Sequence, residues 1–283
     1  MSIKTILAPI TGHEATSAAL ASGMRLAKRL GAFVEVLHAQ QDPRESVPFI
    51  AESALTSVID QYIAQAEREA EARRVEAERI CEEAARAAGV PATGPGAVLR
   101  FDSILGNAAQ EVSTRGRVAD LILVGRVPDD REVEWRLMVE ASLLESGRPV
   151  LLMPAATREL AGVTVAIAWN GSMEAARAAS AALPILHLAK QILILSGAKD
   201  LPVEPSPSRV GEWLARHGIA AKLRSVALEG WPVGEQLVAE AARAGAELLV
   251  MGAYGHTRMR ETIFGGATRS VLNESSLPVL LAH

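Results

Sequence analysis

The chain is written twice, and no other feature constrains its fold as strongly. ADLILVGR at Ala119–Arg126 recurs as AELLVMGA at Ala246–Ala253, and RPVLLMP at Arg148–Pro154 recurs as LPVLLAH at Leu277–His283. TILAPITGH at Thr5–His13 has its counterpart in VAIAWNGS at Val165–Ser172. Copies of this length mark domains rather than solenoid units. The polar stretch Ala155–Gly162, just after Pro154, places the boundary, so residues 1–155 and 156–283 are expected to be two domains.

Within each copy, short apolar runs alternate with helical stretches. The first half predicts strands at Thr5–Ile10, Val34–Ala39, Val98–Phe101, Leu121–Gly125 and Val150–Met153. The second predicts them at Val163–Ala168, Gln191–Ser196, Ala221–Val226, Leu248–Met251 and Val279–Ala282. Helical stretches such as Ala15–Leu30 and Met173–Leu188 fall between them. Strands alternating with helices imply βαβ units. The expected class is α/β: two repeated open parallel five-stranded sheets with helices on both faces. In such sheets ligands bind beyond the carboxyl ends of the strands, where the strand order reverses.

Composition supports layers and excludes several function classes. Of 283 residues, 49% are apolar and only 4% aromatic, with small residues that let helices lie close on a sheet. The net charge of −4 offers no footprint for nucleic acid. Residues 1–155 carry 17 Lys+Arg against 22 Asp+Glu, whereas residues 156–283 carry 12 against 11, so the second half is the better host for an anion. One cysteine, Cys81, excludes an internal disulfide and a Cys-rich metal site. The N-terminus lacks a signal-peptide pattern, and no 18-residue apolar run exists. These features lead to the expectation of a cytoplasmic protein without a membrane partner.

The halves differ between their second and third strands. The second half has a Pro- and Ser-rich loop, GAKDLPVEPSPS. The first carries a long insertion, about residues 43–89, built around EREAEARRVEAERICEEAARAA, a strong helix former. Leu55, Val58, Ile59, Tyr62 and Ile63 give it an apolar stripe at helical spacing, which thins to alanines, Val75 and Ile80. Two readings follow: a solvated helix packed on its own domain with an inert Cys81, or a surface for a protein partner.

The stretch VMGAYGHTRMRETIFGGATRSV, Val250–Val271, carries the chemistry. A strand ends at Met251; Gly252 and Gly255 follow, and Gly265-Gly266-Ala267-Thr268 opens a helix expected over Thr268–Glu274. Glycines allow close approach of a ligand to the backbone, and a helix N-terminus offers unpaired N–H groups and partial positive charge to phosphate. Thr268 adds a hydroxyl, and His256, Arg258 and Arg260 add positive charge from the loop. The spacing is neither a Walker A motif nor a dinucleotide fingerprint. The corresponding stretch of the first half, VGRVPDDREVEWRLMVEASLLES, keeps Gly125 but has Pro128 for the second glycine and Met138 and Val139 near the last two, with Asp129 and Asp130 in the loop. Phosphate would meet bulk and negative charge there, which leaves this half a structural or regulatory role.

The spacing G-x2-G-x9-G, after Val-Met and at this place in the repeat, resembles the universal stress protein family, and the resemblance extends over both halves. It implies an adenine nucleotide alpha hydrolase-like, Rossmann-like fold. It also implies an ATP- or AMP/ADP-binding regulatory protein of the stress response, with or without Mg²⁺. The family's last motif position carries a hydroxyl residue, and Gly266 departs from it. Asn170 stands where the family often has Asp near the adenosine, with Thr11 at that place in the first half. By the same alignment Ala168 and Trp169 line the pocket floor and Gly197 lies beside the adenine. The family's dimer, formed through the final strand, implies an intramolecular pairing of Pro149–Met153 with Pro278–Ala282, and is compatible with a further homodimer. No activated nucleophile is visible, so catalysis is limited to slow ATP hydrolysis.

Overall fold

The computed structural model describes residues 2–42, 56–91, 98–127, 132–156, 158–197, 203–226, 233–254, 268, 271–272 and 275–283. In the first half the order is β1 (Thr5–Ile10), α1 (Thr16–Leu30), β2 (Phe33–Gln40), α2 (Thr56–Ala88), β3 (Leu99–Leu105), α3 (Ala108–Gly116), β4 (Leu121–Gly125), α4 (Glu132–Leu144) and β5 (Val150–Met153). In the second it is β6 (Thr164–Ala168), α5 (Met173–Leu186), β7 (Gln191–Gly197), α6 (Pro207–Arg216), β8 (Ala221–Val226), α7 (Val233–Arg243), β9 (Leu248–Gly252) and β10 (Val279–Ala282). Thr268, Val271 and Leu272 are helical. The third strand extends to Leu105, four residues beyond the sequence expectation, because the whole of β3 pairs with β2 from Val34↔Leu99 to Gln40↔Leu105.

The strands form one ten-stranded sheet in the order β3-β2-β1-β4-β5-β10-β9-β6-β7-β8. Two five-stranded parallel sheets, as expected, are thus fused into one. The fusion is the antiparallel pair β5–β10, with Val279↔Leu152, Leu280↔Leu151 and Leu281↔Val150 in register. All six of these side chains are at most 2% exposed. An uncovered apolar strand is a template for mispairing. Here each half covers the other's, and each Val or Leu withdrawn from water contributes about 1.5–3 kcal/mol.

Strands near the middle are buried on both faces, which is why β4 (LILVG) and β9 (LLVMG) are continuous apolar runs rather than alternating ones. One core lies under α1, α2, α5 and α6, the other against α3, α4 and α7. Gly23 in α1 lets the helix close on β4, since a Cβ there would lie 2.1 Å from Leu123 Cδ2. Helix α2 packs on α1 through Ala70, Ala77, Ile80, Cys81, Ala84, Ala85 and Ala88. The expected stripe is therefore displaced toward the helix C-terminus: Tyr62 is 49% exposed, and small alanines rather than large side chains allow the close approach. Leu55 and the side chains of Val58 and Ile59 lie outside the described residues. The outer face of α2 carries Arg74 paired with Glu71 and Glu78, and Arg79 paired with Glu76 and Glu83, the arrangement of a solvated helix face. Burial raises the Cys81 thiol to about 12, so the thiol is inert at neutral pH.

Candidate functional site

In the second half the strand order reverses between β6 and β9, which pair in parallel through Ile167↔Val250. The residues that follow these strands therefore emerge side by side: Ala168, Trp169 and Asn170 from one, Met251 and Gly252 from the other. Gly197 ends the neighbouring strand β7, whose Leu195 pairs with Ala168. Six of the candidate ligand residues are thus gathered at one sheet end by topology alone. Thr268 is the seventh described member. Gly255, His256, Arg258, Gly265, Gly266 and Ala267, with Arg260, lie outside the described residues.

The turn from β6 to α5 is closed by side chains that mimic backbone. Asn170 Oδ1 accepts from Ser172 N at 3.1 Å, and Ser172 Oγ caps α5 by accepting from Ala175 N at 3.1 Å. Asn170 is exposed, so its amide NH₂ remains outward as a donor while its oxygen builds the turn. Asn170 itself brings no charge to the mouth of the site.

Gly171 sits at φ +77°, and a Cβ on it would lie 2.4 Å from the Glu204 carbonyl oxygen. Residues 203–206 therefore run directly over this turn. Trp169 Nε1 donates to the Pro205 carbonyl at 2.7 Å, and the indole is only 7% exposed. Trp169 is a wall that anchors the segment above it, with its N–H already committed.

Gly252 has a different reason to be glycine from the one its motif position suggests. A Cβ there would lie 2.6 Å from Ala175 N and 2.7 Å from Glu174 C, inside the backbone of the first turn of α5. The strand end and the helix start are in contact. Gly125 does the same in the first half, with a Cβ 2.8 Å from Ala19 Cβ. The first glycine of the motif is thus a packing glycine.

Two bonds fix the frame of the glycine loop. Tyr254, at φ +60°, donates its N–H to Thr268 Oγ1 at 3.2 Å. Thr268 is 3% exposed, so its hydroxyl ties the loop's two ends together. In the sequence it reads as a phosphate donor in place of a hydroxyl at Gly266; in the structure its first duty is this clamp. The Tyr254 ring packs edge-on to His283, whose Nδ1 lies 3.2 Å from the Ala253 carbonyl oxygen. Burial pushes the Tyr254 phenol well above its usual range, and the Glu140 carboxylate of α4 adds to this while Arg136 opposes it. The first half thus contributes charge at the base of the loop.

In the first half the equivalent place is filled. Trp135, 3% exposed on α4, donates its indole N–H to the Gly125 carbonyl at 2.8 Å. Met138 and Val139 are buried beside it in the same core. Pro128, Asp129 and Asp130 lie outside the described residues. Over the first turn, Gly12 faces the Arg73 carbonyl of α2, 3.2 Å from a built Cβ, where Gly171 faces Glu204. Trp135, Tyr254 and Arg126 are the residues sequence reasoning did not single out. A tryptophan beside the point where the other half has Gly265-Gly266 was the available signal.

Residues 163–283 match the family model described as the universal stress protein family. That match takes in the second half of the chain and leaves the first outside it. A curated universal stress protein of Methanocaldococcus jannaschii is 30% identical over 63 residues, which are 22% of this chain and 38% of that relative. A universal stress protein structure from Archaeoglobus fulgidus superposes with a TM-score of 0.69 at 18% identity, over 99% of this chain and 96% of its own. A functionally unknown protein of Pseudomonas aeruginosa superposes at 0.58 with 15% identity, over 99% of this chain and 92% of its own. At these identities the likeness shows a shared fold, and it runs through both halves. No helix among the described residues is long and apolar enough to cross a membrane. Among the same residues no group of three or more His, Cys, Asp or Glu is placed to hold a metal ion.

Proposed function

We propose that the chain is a two-domain universal stress protein, residues 1–155 and 156–283, that binds one adenine nucleotide in its second domain and works as a cytoplasmic regulatory protein. The observation that carries this reading is the convergence of Ala168–Asn170 and Met251–Gly252 at the β6/β9 switch point, with Tyr254 and Thr268 clamping the loop that holds Gly255, Gly265 and Gly266. The base end falls to the walls made by Ala168, Trp169 and Gly197. The phosphates fall to the loop, where the backbone N–H groups of Gly265, Gly266 and Ala267 serve as donors, with His256 and Arg258 as neighbouring positive groups. Mg²⁺, where present, would act on the phosphates and not on a protein ligand cluster. A regulatory role follows from a site with walls and donors but no group assigned to activate a nucleophile.

Thermal unfolding with and without ATP tests the reading. Ligand at about a hundred times its dissociation constant stabilises by about 2.7 kcal/mol. In a domain-sized protein that raises Tm by roughly 5–10 °C. An unchanged Tm at millimolar ATP, ADP and AMP contradicts the proposal.

A further inference from the structure

We propose that Arg126 of the first half is a positioning residue for the glycine loop of the second, acting through Val271 and Leu272. The inference deepens the nucleotide reading above and rests on it. Arg126 follows β4 directly, and its backbone N–H is fixed by the Met153 carbonyl at 2.9 Å. From there the guanidinium crosses the β5–β10 seam. Its Nη2 donates to the Val271 carbonyl at 3.0 Å and also to the Leu272 carbonyl. These carbonyls lie three and four residues beyond Thr268, whose hydroxyl holds Tyr254. Arg126 therefore holds two carbonyls just beyond the residue that ties Tyr254.

The residue type suits the task. Helix carbonyls near a C-terminal end attract a cation, and the planar guanidinium reaches two of them at once. The Val271 carbonyl also accepts from Ser275 N at 3.1 Å, so Arg126 adds to the helix bond without replacing it.

The contact is also one-way. Under the internal repeat the counterpart of Arg126 is Ala253, whose N–H donates to the Ala282 carbonyl at 2.8 Å just as that of Arg126 donates to Met153. Backbone geometry is preserved and the side chain is not. Nothing at Ala253 can reach back to α4. The asymmetry has the direction expected if only one loop needs to be held for a ligand.

The test uses the full chain with Arg126→Ala, Arg126→Lys and, as a surface control, Arg100→Ala. Hydrogen exchange of the ligand-free protein is read at residues 248–254 and 268–275, and affinity for ATP and for adenosine is measured by calorimetry. Arg126→Ala is expected to speed exchange in these two segments and leave β1 and β7 unchanged. It is expected to weaken ATP by about fivefold to tenfold while adenosine affinity holds, because the loop meets the phosphates. Arg126→Lys, which keeps the charge and loses the fork, is expected to fall between; if Arg126→Ala does not fold, this variant decides. ATP affinity and exchange equal to wild type in the deciding variant overturn the proposal and leave the nucleotide reading intact. Failure of the wild-type chain to bind ATP overturns both.

Discussion

At two places the halves of this molecule solve the same packing problem, and at a third they diverge. After β1 and β6 each half places a left-handed glycine, Gly12 and Gly171, beneath a backbone carbonyl, that of Arg73 in α2 and that of Glu204 in the 203–206 segment. At the ends of β4 and β9 each half places a glycine, Gly125 and Gly252, against the start of the helix that follows its first strand, α1 and α5. Beyond these glycines the parallel stops. The first half drives Trp135, Met138 and Val139 into the space, and the second carries Gly255, Gly265 and Gly266 in the corresponding chain. Glycines shared by both halves are explained by packing. Those present in one half need another cause, and a ligand that must approach backbone N–H groups is such a cause.

The largest expected effect sharpens the filled side of this contrast. Trp135→Ala removes a buried indole and strips the Gly125 carbonyl of its donor. It should cost about 3–5 kcal/mol in guanidinium unfolding. A loss below 1 kcal/mol would mean that the first-half site is not filled by Trp135. Next comes Gly252→Ala, which forces backbone of α5 to move and should cost about 1–3 kcal/mol with or without nucleotide. If its cost instead appears only in ATP affinity, Gly252 belongs with the ligand glycines and the division drawn here is wrong. Trp169→Phe loses the bond to the Pro205 carbonyl and should destabilise by about 1 kcal/mol. Because an aromatic ring, though a smaller one, still lines the wall, its effect on ATP affinity should be small. At the small end, Cys81 in the native protein should resist alkylation at pH 8, since its thiol is held at about 12. Because that value lies above the ordinary 9.0, the buried thiol favours the folded state below pH 9, and this contribution fades as pH rises from 9 toward 12.

Much of the architecture was legible in the sequence because it depends on periodicity. The repeated apolar runs located each strand within a few residues, and the β5–β10 seam was expected from the resemblance to a family whose dimer forms through the final strand. The gathering of Ala168–Asn170 and Met251–Gly252 was legible for the same reason: parallel strands put their following loops at one end. The roles of single residues were less so. Gly252 reads as a ligand glycine in a motif, and only the 2.6 Å approach of Ala175 N reveals its packing duty. Thr268 reads as a phosphate donor, and its clamp on Tyr254 depends on a chain reversal that spacing does not encode. The alanines of α2 read as a fading stripe, yet with Ile80 and Cys81 they form its buried face.

The central claim is that one half of a duplicated fold holds nucleotide and the other cannot. Binding stoichiometry of ATP to the intact chain tests it most directly, measured by calorimetry beside a variant carrying Gly265→Val and Gly266→Val. One nucleotide per chain is expected for the wild type and none for the variant, with the Tm of the two ligand-free proteins within a few degrees. Two nucleotides per chain, or one that survives in the variant, would contradict it.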